Sequence, residues 1–186
     1  MAWTTPRTWT TGELVTKTIM DTHVRDNLSF LGAIHHSIWA QPHAVSGTGA
    51  VLATTITGYS NVGVAELVDS QDDVVYFSVP IPTDFVTLTK AAVVLVPGGT
   101  GNMRVGATST YGAAGELMAT HGDLISLADV AVTIDLVTER SMSAMLTLLA
   151  AGDRLGLKFS REGTHANDTV GASVFVLGLL LEYQTI

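Results

Sequence analysis

The feature that most constrains this chain is a change of hydrophobic period along it. Beyond residue 46, apolar side chains recur at every second position. Val130, Val132, Ile134 and Leu136 alternate with Ala131, Thr133, Asp135 and Val137, and Leu155, Leu157 and Phe159 alternate with Gly156, Lys158 and Ser160. A period of two puts successive residues on opposite faces of a strand. Further segments of strand character lie at 50–57, 73–79, 86–96, 102–110, 142–149 and 172–183, separated by short turns of Gly, Asp, Asn or Pro. About eight strands spaced this way predict a mainly β chain folded as an antiparallel, jelly-roll-like sandwich. In the last strand, Phe175, Leu177, Leu179 and Leu181 are expected to share a face with Tyr183. Val174 and Val176 make the opposite face apolar too, so this strand is expected to be central and covered on both sides.

The first 45 residues read differently. Residues 1–15 are threonine-rich, with Pro6 and Gly12, and are expected to form an extended arm. From about Thr16 to Ser37 the pattern is helical, with Thr16 or Thr18 as N-cap. Met20, Val24, Leu28, Leu31, Ile34 and Ile38 follow at steps of three or four and form one apolar stripe. Val24, Leu28, Leu31, His35 and Ile38 also fit alternating heptad spacing, over about two heptads, fewer than a coiled coil needs. The helix is expected either to lie against its own domain or to bundle with sister subunits. Gln41-Pro42 ends it, and the SGTG run at 46–49 reads as a hinge. The expected organisation is an arm and helix over 1–45, serving attachment or oligomerisation, and a β-sandwich over 46–186.

Charge is distributed unevenly along the chain. Of nine basic and seventeen acidic residues, three of each lie in residues 1–40 (Arg7, Lys17, Arg25; Glu13, Asp21, Asp26), leaving six and fourteen for the remainder. The β region therefore carries the whole net charge of −8. An anionic domain without a basic stripe is repelled by phosphate backbones, so neither nucleic acid nor an anionic membrane is expected as a partner. Only 14% of the residues are charged, which fits either a surface partly covered by other subunits or one coated with threonine and glycine. There is no cysteine, which excludes disulfides, thiolate nucleophiles and cysteine metal sites. The N-terminus lacks the apolar core of a secretory signal. The longest apolar stretch, from Val174 to Leu181, is far short of the roughly 20 residues that span a bilayer.

No catalytic or cofactor motif stands in a matching context, and neither enzymatic activity nor a cofactor is expected. The run Pro97-Gly98-Gly99-Thr100-Gly101-Asn102 lies between two strand patterns with no helix after it, and reads as a hairpin turn. His35 and His36 are adjacent and would point about 100° apart on a helix, so they share no face. His23 falls on a polar face, His43 beyond the helix, and His121 and His165 in turns. Asp69, Asp72 and Asp73 are a weak candidate for Ca²⁺; such clusters also serve simply as turn-formers. Glu162, His165 and Asp168 crowd one loop but lack a nucleophile, and do not make a triad.

Two stretches carry a family resemblance. The run TWTTGELVTKTIMDTHVRDNLSFL resembles a segment found near the start of structural proteins of tailed bacteriophages, through Trp9, Gly12, Val15, Thr16, Met20, His23 and Arg25-Asp26-Asn27-Leu28. Asp21 departs from the asparagine common there. The run AAGDRLGLKFSREGTHANDTVGASVFVLGLLLEYQ resembles the closing strands of such proteins, through Gly152-Asp153, Arg161, Asp168-Thr169 and Glu182-Tyr183. Together they cover about a third of the chain. The resemblance implies a multimeric virion component, such as a homotrimeric capsid decoration protein, head fibre or tail-fibre part, assembled with capsid or tail subunits.

All three tryptophans, Trp3, Trp9 and Trp39, fall in the first 39 residues. Tryptophan buries much area at little entropic cost and suits docking. Residues expected to serve attachment are Trp3, Trp9, Met20, Val24, Arg25, Leu28, Leu31, Ile34, Ile38 and Trp39. A different reading is a receptor- or glycan-binding sandwich. Of its aromatic candidates Tyr59, Tyr76, Tyr111 and Tyr183, Tyr111 in the STYGAAG run is expected to be the exposed platform.

Overall fold

Alternating apolar side chains from two antiparallel sheets close on each other to form the core of the computed structural model, which describes residues 5, 8, 10–25, 35–53, 64–118 and 121–185. The strands are β1 (His35–Ala40), β2 (Ala44–Ser46), β3 (Val51–Ala53), β4 (Val64–Leu67), β5 (Asp72–Pro80), β6 (Phe85–Pro97), β7 (Gly101–Gly112), β8 (His121–Val132), β9 (Thr138–Ser141), β10 (Arg154–Glu162) and β11 (Val174–Thr185). One sheet runs β3-β4-β11-β6-β9, with β1 also paired to β11; the other runs β2-β5-β10-β7-β8. The expected jelly-roll-like sandwich is what the chain forms. Val75, Phe77, Leu155, Leu157, Phe159, Met103 and Val105 point inward from the five-stranded sheet. Val93, Leu95, Val174, Val176, Leu179 and Leu181 meet them from the six-stranded one.

β11 is central, with β6 along one edge and β4 and β1 end to end along the other. Its facing departs from strict alternation. A bulge between Val176 and Gly178 puts Val174 and Val176 on the buried side with Leu179, Leu181 and Tyr183, and leaves Phe175 and Leu177 half-buried on the opposite face.

Of the helix expected over 16–37, residues 17–25 are helical, residues 26–34 lie outside the described residues, and from His35 the chain is strand. A single turn of α-helix, α1 (Lys17–Met20), is capped by the Thr16 hydroxyl, which accepts from the Ile19 amide at 3.3 Å. A π-helical turn, Asp21–Arg25, follows, and Lys17 pairs with Asp21. Residues 35–40 are strand, not helix. Ile38 and Ala40 pack against the core, His36 stacks on Tyr183, and Trp39 faces outward with its ring over Gly178, where a Cβ would overlap it. The three-to-four spacing that suggested helix through Ile38 loses to the period-two match between β1 and the free edge of β11.

Three other expectations are corrected. Residues 142–149 hold a 3₁₀ turn, Ser143–Met145, not a strand. Met142, Met145, Leu146 and Leu149 are buried at helix-like intervals. The 130–137 segment breaks after Val132, turns through Asp135 at φ 60°, and resumes as β9 in the other sheet. The Gly98–Gly101 run is no hairpin but an arch carrying the chain from one sheet to the other. A Cβ at Gly98, Gly99 or Gly101 would meet the carbonyl oxygens of Ser173, Val170 or Thr169, so the close approach requires glycine.

A buried ion pair ties the two layers. Arg161 on β10 donates from Nε and Nη2 to the two carboxylate oxygens of Asp168, at 3.0 and 2.7 Å. Its Nη1 donates to the carbonyls of Leu67 on β4 and of Ala172. Asp168 also accepts from the Arg104 amide on β7. Nearby, Arg104 bridges Glu162 at 2.9 Å and Asp129 at 3.0 Å. The hydrogen bond from Arg104 holds the Asp129 carboxyl below the usual range, with a smaller contribution from Asn167.

Two outcomes follow from these contacts. Asp168→Ala leaves the buried guanidinium with only the more distant Asp69 carboxylate, 3.5 Å away, and should cost about 3–5 kcal/mol in urea unfolding; a cost under about 1 kcal/mol would contradict the role given to the pair. A depressed carboxyl stabilises the fold above its unfolded-state value, and that contribution is lost as pH falls through the folded-state value. In Arg104→Gln, the Asp129 carboxyl should titrate at higher pH by NMR, and an unmoved titration would reject the assignment.

Candidate functional site

Strand register builds one continuous row of side chains across the outer face of the five-stranded sheet. Ala44 pairs with Tyr76, Tyr76 with Lys158, Lys158 with Thr108, and Thr108 with Leu124. Directly paired residues share a face, so all five point away from the core. The next row is Ser78, Gly156, Thr110 and Gly122, and on the other side Ser160 pairs with Gly106. The glycines explain the shape. With no side chain at 106, 122 and 156, the sheet surface dips on both sides of Lys158.

Two adjoining depressions result. One of about 330 Å³ is lined by His43, Tyr76, Ser78, Thr110 and Gly156. The other, about 200 Å³, is lined by Gly106, Leu124, Leu127 and Ser160, and both share Thr108 and Lys158. At roughly 4.8 Å between strands, the five-strand row runs about 19 Å. Among the described residues, no hydrogen bond engages the hydroxyls of Ser78, Thr108 and Thr110 or the ammonium of Lys158. No Asp or Glu of the described residues lines either depression. The carboxylates of this face among the described residues lie farther along: Asp129 and Glu162 are taken up by Arg104, and Asp72, paired with Glu162, accepts from Thr164.

Such a surface offers a partly buried phenol, a row of free hydroxyls and one cation, all mounted on paired strands. It can bind a polar, extended ligand in a fixed orientation.

The residues singled out from sequence are placed as follows. Tyr111 is not an exposed platform: it is 2% exposed, faces inward from β7, and stacks on His121 at 5.8 Å. Its strand runs on to Gly112, two residues beyond the expected end, which turns the ring into the core. His121 opens β8 instead of lying in a turn. Tyr183 is buried against Phe85 and His36, and Tyr59 lies outside the described residues.

Asp69, Asp72 and Asp73 act separately as turn-formers. Asp73 is buried and accepts from the Val68 amide at 2.8 Å, Asp72 accepts from Thr164, and Asp69 lies 3.5 Å from Arg161. Among the described residues, no three His, Asp or Glu side chains come together as a metal site. Of the Glu162, His165 and Asp168 trio, two members are occupied by arginines.

Of the attachment residues, Trp3, Trp9, Leu28, Leu31 and Ile34 lie outside the described residues. Met20 is half-exposed at the end of α1, Val24 is partly covered, and Arg25 closes the π turn. His35 and His36 point to opposite faces of β1, and His35 meets Gln184 at 3.2 Å.

Tyr76 was among the aromatic candidates but was passed over for Tyr111, and the outer-face residues Lys158 and Thr108 were missed. Each strand's alternation marks them as outward-facing, but only the pairing register puts them in one line.

No family model matches the chain, and no curated protein matches it significantly. Among solved structures, it is similar to TmCBM61 in complex with β-1,4-galactotriose, with 11% identity, a TM-score of 0.41, and coverage of 74% of this chain and 86% of that one. It is also similar to a family 11 carbohydrate-binding module from Clostridium thermocellum in complex with a β-1,3-1,4-mixed-linked tetrasaccharide, with 13% identity, a TM-score of 0.35, and coverage of 81% and 88%. The enzymatically active domain of tailspike protein 4 from bacteriophage CBA120 follows at 7% identity and a TM-score of 0.33, covering 81% of this chain and 19% of that one. At these identities the likeness is one of fold.

Proposed function

We propose that the outer face of the five-stranded sheet is a carbohydrate-binding surface and that the chain binds glycan without cleaving it. The observation that carries this reading is the row Tyr76, Lys158, Thr108 and Leu124, set in a glycine-floored groove where no described residue engages the Lys158 ammonium or the hydroxyls of Ser78, Thr108 and Thr110. A sugar ring presents C–H groups on its faces and hydroxyls at its rim. The first suit an aromatic or leucine surface, and the second suit free hydroxyls and an ammonium. Strand-borne groups lose little freedom on binding, which favours affinity in a shallow site. Glycoside hydrolysis uses a pair of carboxylates flanking the bond, and the groove lining has none among the described residues.

A second reading rests on the N-terminal segment, where Leu14 is 80% exposed, Val15 49% and Met20 45%. Apolar side chains left uncovered on a segment that resembles phage particle proteins support docking onto a partner surface. That partner is a sister subunit of a homotrimer or another virion protein. The two readings are compatible: one end holds the particle, and the sheet face meets a host-surface glycan.

Each reading has its own test. On a glycan array followed by calorimetry, Tyr76→Ala should weaken binding about tenfold or more. Gly156→Leu should abolish it by filling the groove, since a Cβ there meets only Thr110 at ordinary contact distance. A blank array, or binding that neither variant changes, removes the site. For docking, the triple variant Leu14→Ser, Val15→Ser, Met20→Ser should lower the mass measured by light scattering; an unchanged multimer rejects the segment as its seam.

A further inference from the structure

The chain has three lysines, and two of them face carboxylates: Lys17 pairs with Asp21, and Lys90 with Glu139 and Glu182. Lys158 has no such partner among the described residues. Its paired neighbours are Tyr76 and Thr108, and the flanking positions are Ser78, Thr110, Gly106 and Val74. With seventeen acidic residues against nine basic ones, a carboxylate beside Lys158 would be easy to supply, yet among the described residues both depressions that meet at it are free of acid. The groove is thus a local inversion of sign on an anionic protein, with its one ammonium at the centre of a row of hydroxyls.

We infer that the groove selects glycans carrying a carboxylated sugar, with the Lys158 ammonium as the contact for the sugar's carboxylate. This deepens the carbohydrate reading and rests on it. A charge-assisted hydrogen bond between ammonium and carboxylate is about twice as strong as a neutral one. Thr108 and Thr110 stand ready to accept or donate to hydroxyls beside it. Tyr76 opposes Lys158 on the neighbouring strand and supplies the surface for the ring's C–H face. Because the protein as a whole is anionic, the favoured ligand is a largely neutral chain with an isolated acidic sugar, not a dense polyanion. The ammonium attracts at contact range, while the surrounding negative charge is screened over about 8–10 Å at ordinary ionic strength.

The experiment uses the full chain and paired probes: oligosaccharides bearing one uronic acid, and the same oligosaccharides after reduction of that carboxyl to the alcohol. Calorimetry should show the acidic form bound about tenfold or more tighter. The preference should vanish in Lys158→Met, which keeps the aliphatic stem, and survive in Lys158→Arg, which restores the charge. Equal binding of the two forms, or a preference that Lys158→Met leaves intact, overturns the inference. If the reduced probe binds as well as the acidic one and Tyr76→Ala weakens both, the carbohydrate reading stands and this inference falls. If neither form binds, both fall.

Discussion

The contact between Arg161 and Asp168 is where the two layers of the sandwich become one structure. Arg161 is 1% exposed, and its guanidinium uses all three of its nitrogens, toward a carboxylate and toward carbonyls of β4 and the 168–172 segment. Burying such a pair is expensive, and it gives little net stability over an apolar replacement of the same shape. What it supplies here is alignment. β10 is the middle strand of the five-stranded sheet, and the Arg161 hydrogen bonds tie its end to β4 in the other sheet while Asp168 holds the start of β7. The register of β5, β10 and β7 is the register of the proposed groove, so this pair lies directly under the placement of Tyr76, Lys158 and Thr108.

The same arrangement explains how the groove comes to be shallow yet shaped. Most inward positions of β5, β7 and β10 are filled by apolar side chains such as Val75, Phe77, Met103, Val105, Leu155, Leu157 and Phe159, which leaves the outward positions free of packing duty. Three of them hold glycine and several hold serine or threonine. The surface is defined by what is missing beside Lys158 as much as by what is present. Acidic residues are kept farther along, where Arg104 neutralises two of them.

The β architecture was legible because the alternation in 73–79, 102–110 and 155–161 and the continuous apolar runs within 86–96 and 172–183 are local, and the turns between them are chemically marked. The N-terminal boundary was not, because Ile38 satisfies a helical period as well as a strand one, and the edge of β11 decides for strand. β8 was largely hidden: as a bulged edge strand it exposes Leu124 and Leu127 and loses a clean period. Tyr111 was misjudged because a two-residue difference in strand length reverses an aromatic's surroundings. The groove itself was invisible in sequence, since it joins residues 76, 108 and 158, whose adjacency exists only through pairing.

β1 has a mechanical consequence. Six residues, His35 to Ala40, join the N-terminal side of the chain to the sandwich by pairing antiparallel with Leu179 to Gln184. A pull transmitted along that strand loads its rungs together in shear instead of unzipping them one by one. Trp39, seated over Gly178, acts as a detent against sliding, because slippage by one residue would turn its ring toward the core and Ile38 toward solvent. A domain fastened through such a strand resists tension better than one fastened by a flexible linker alone.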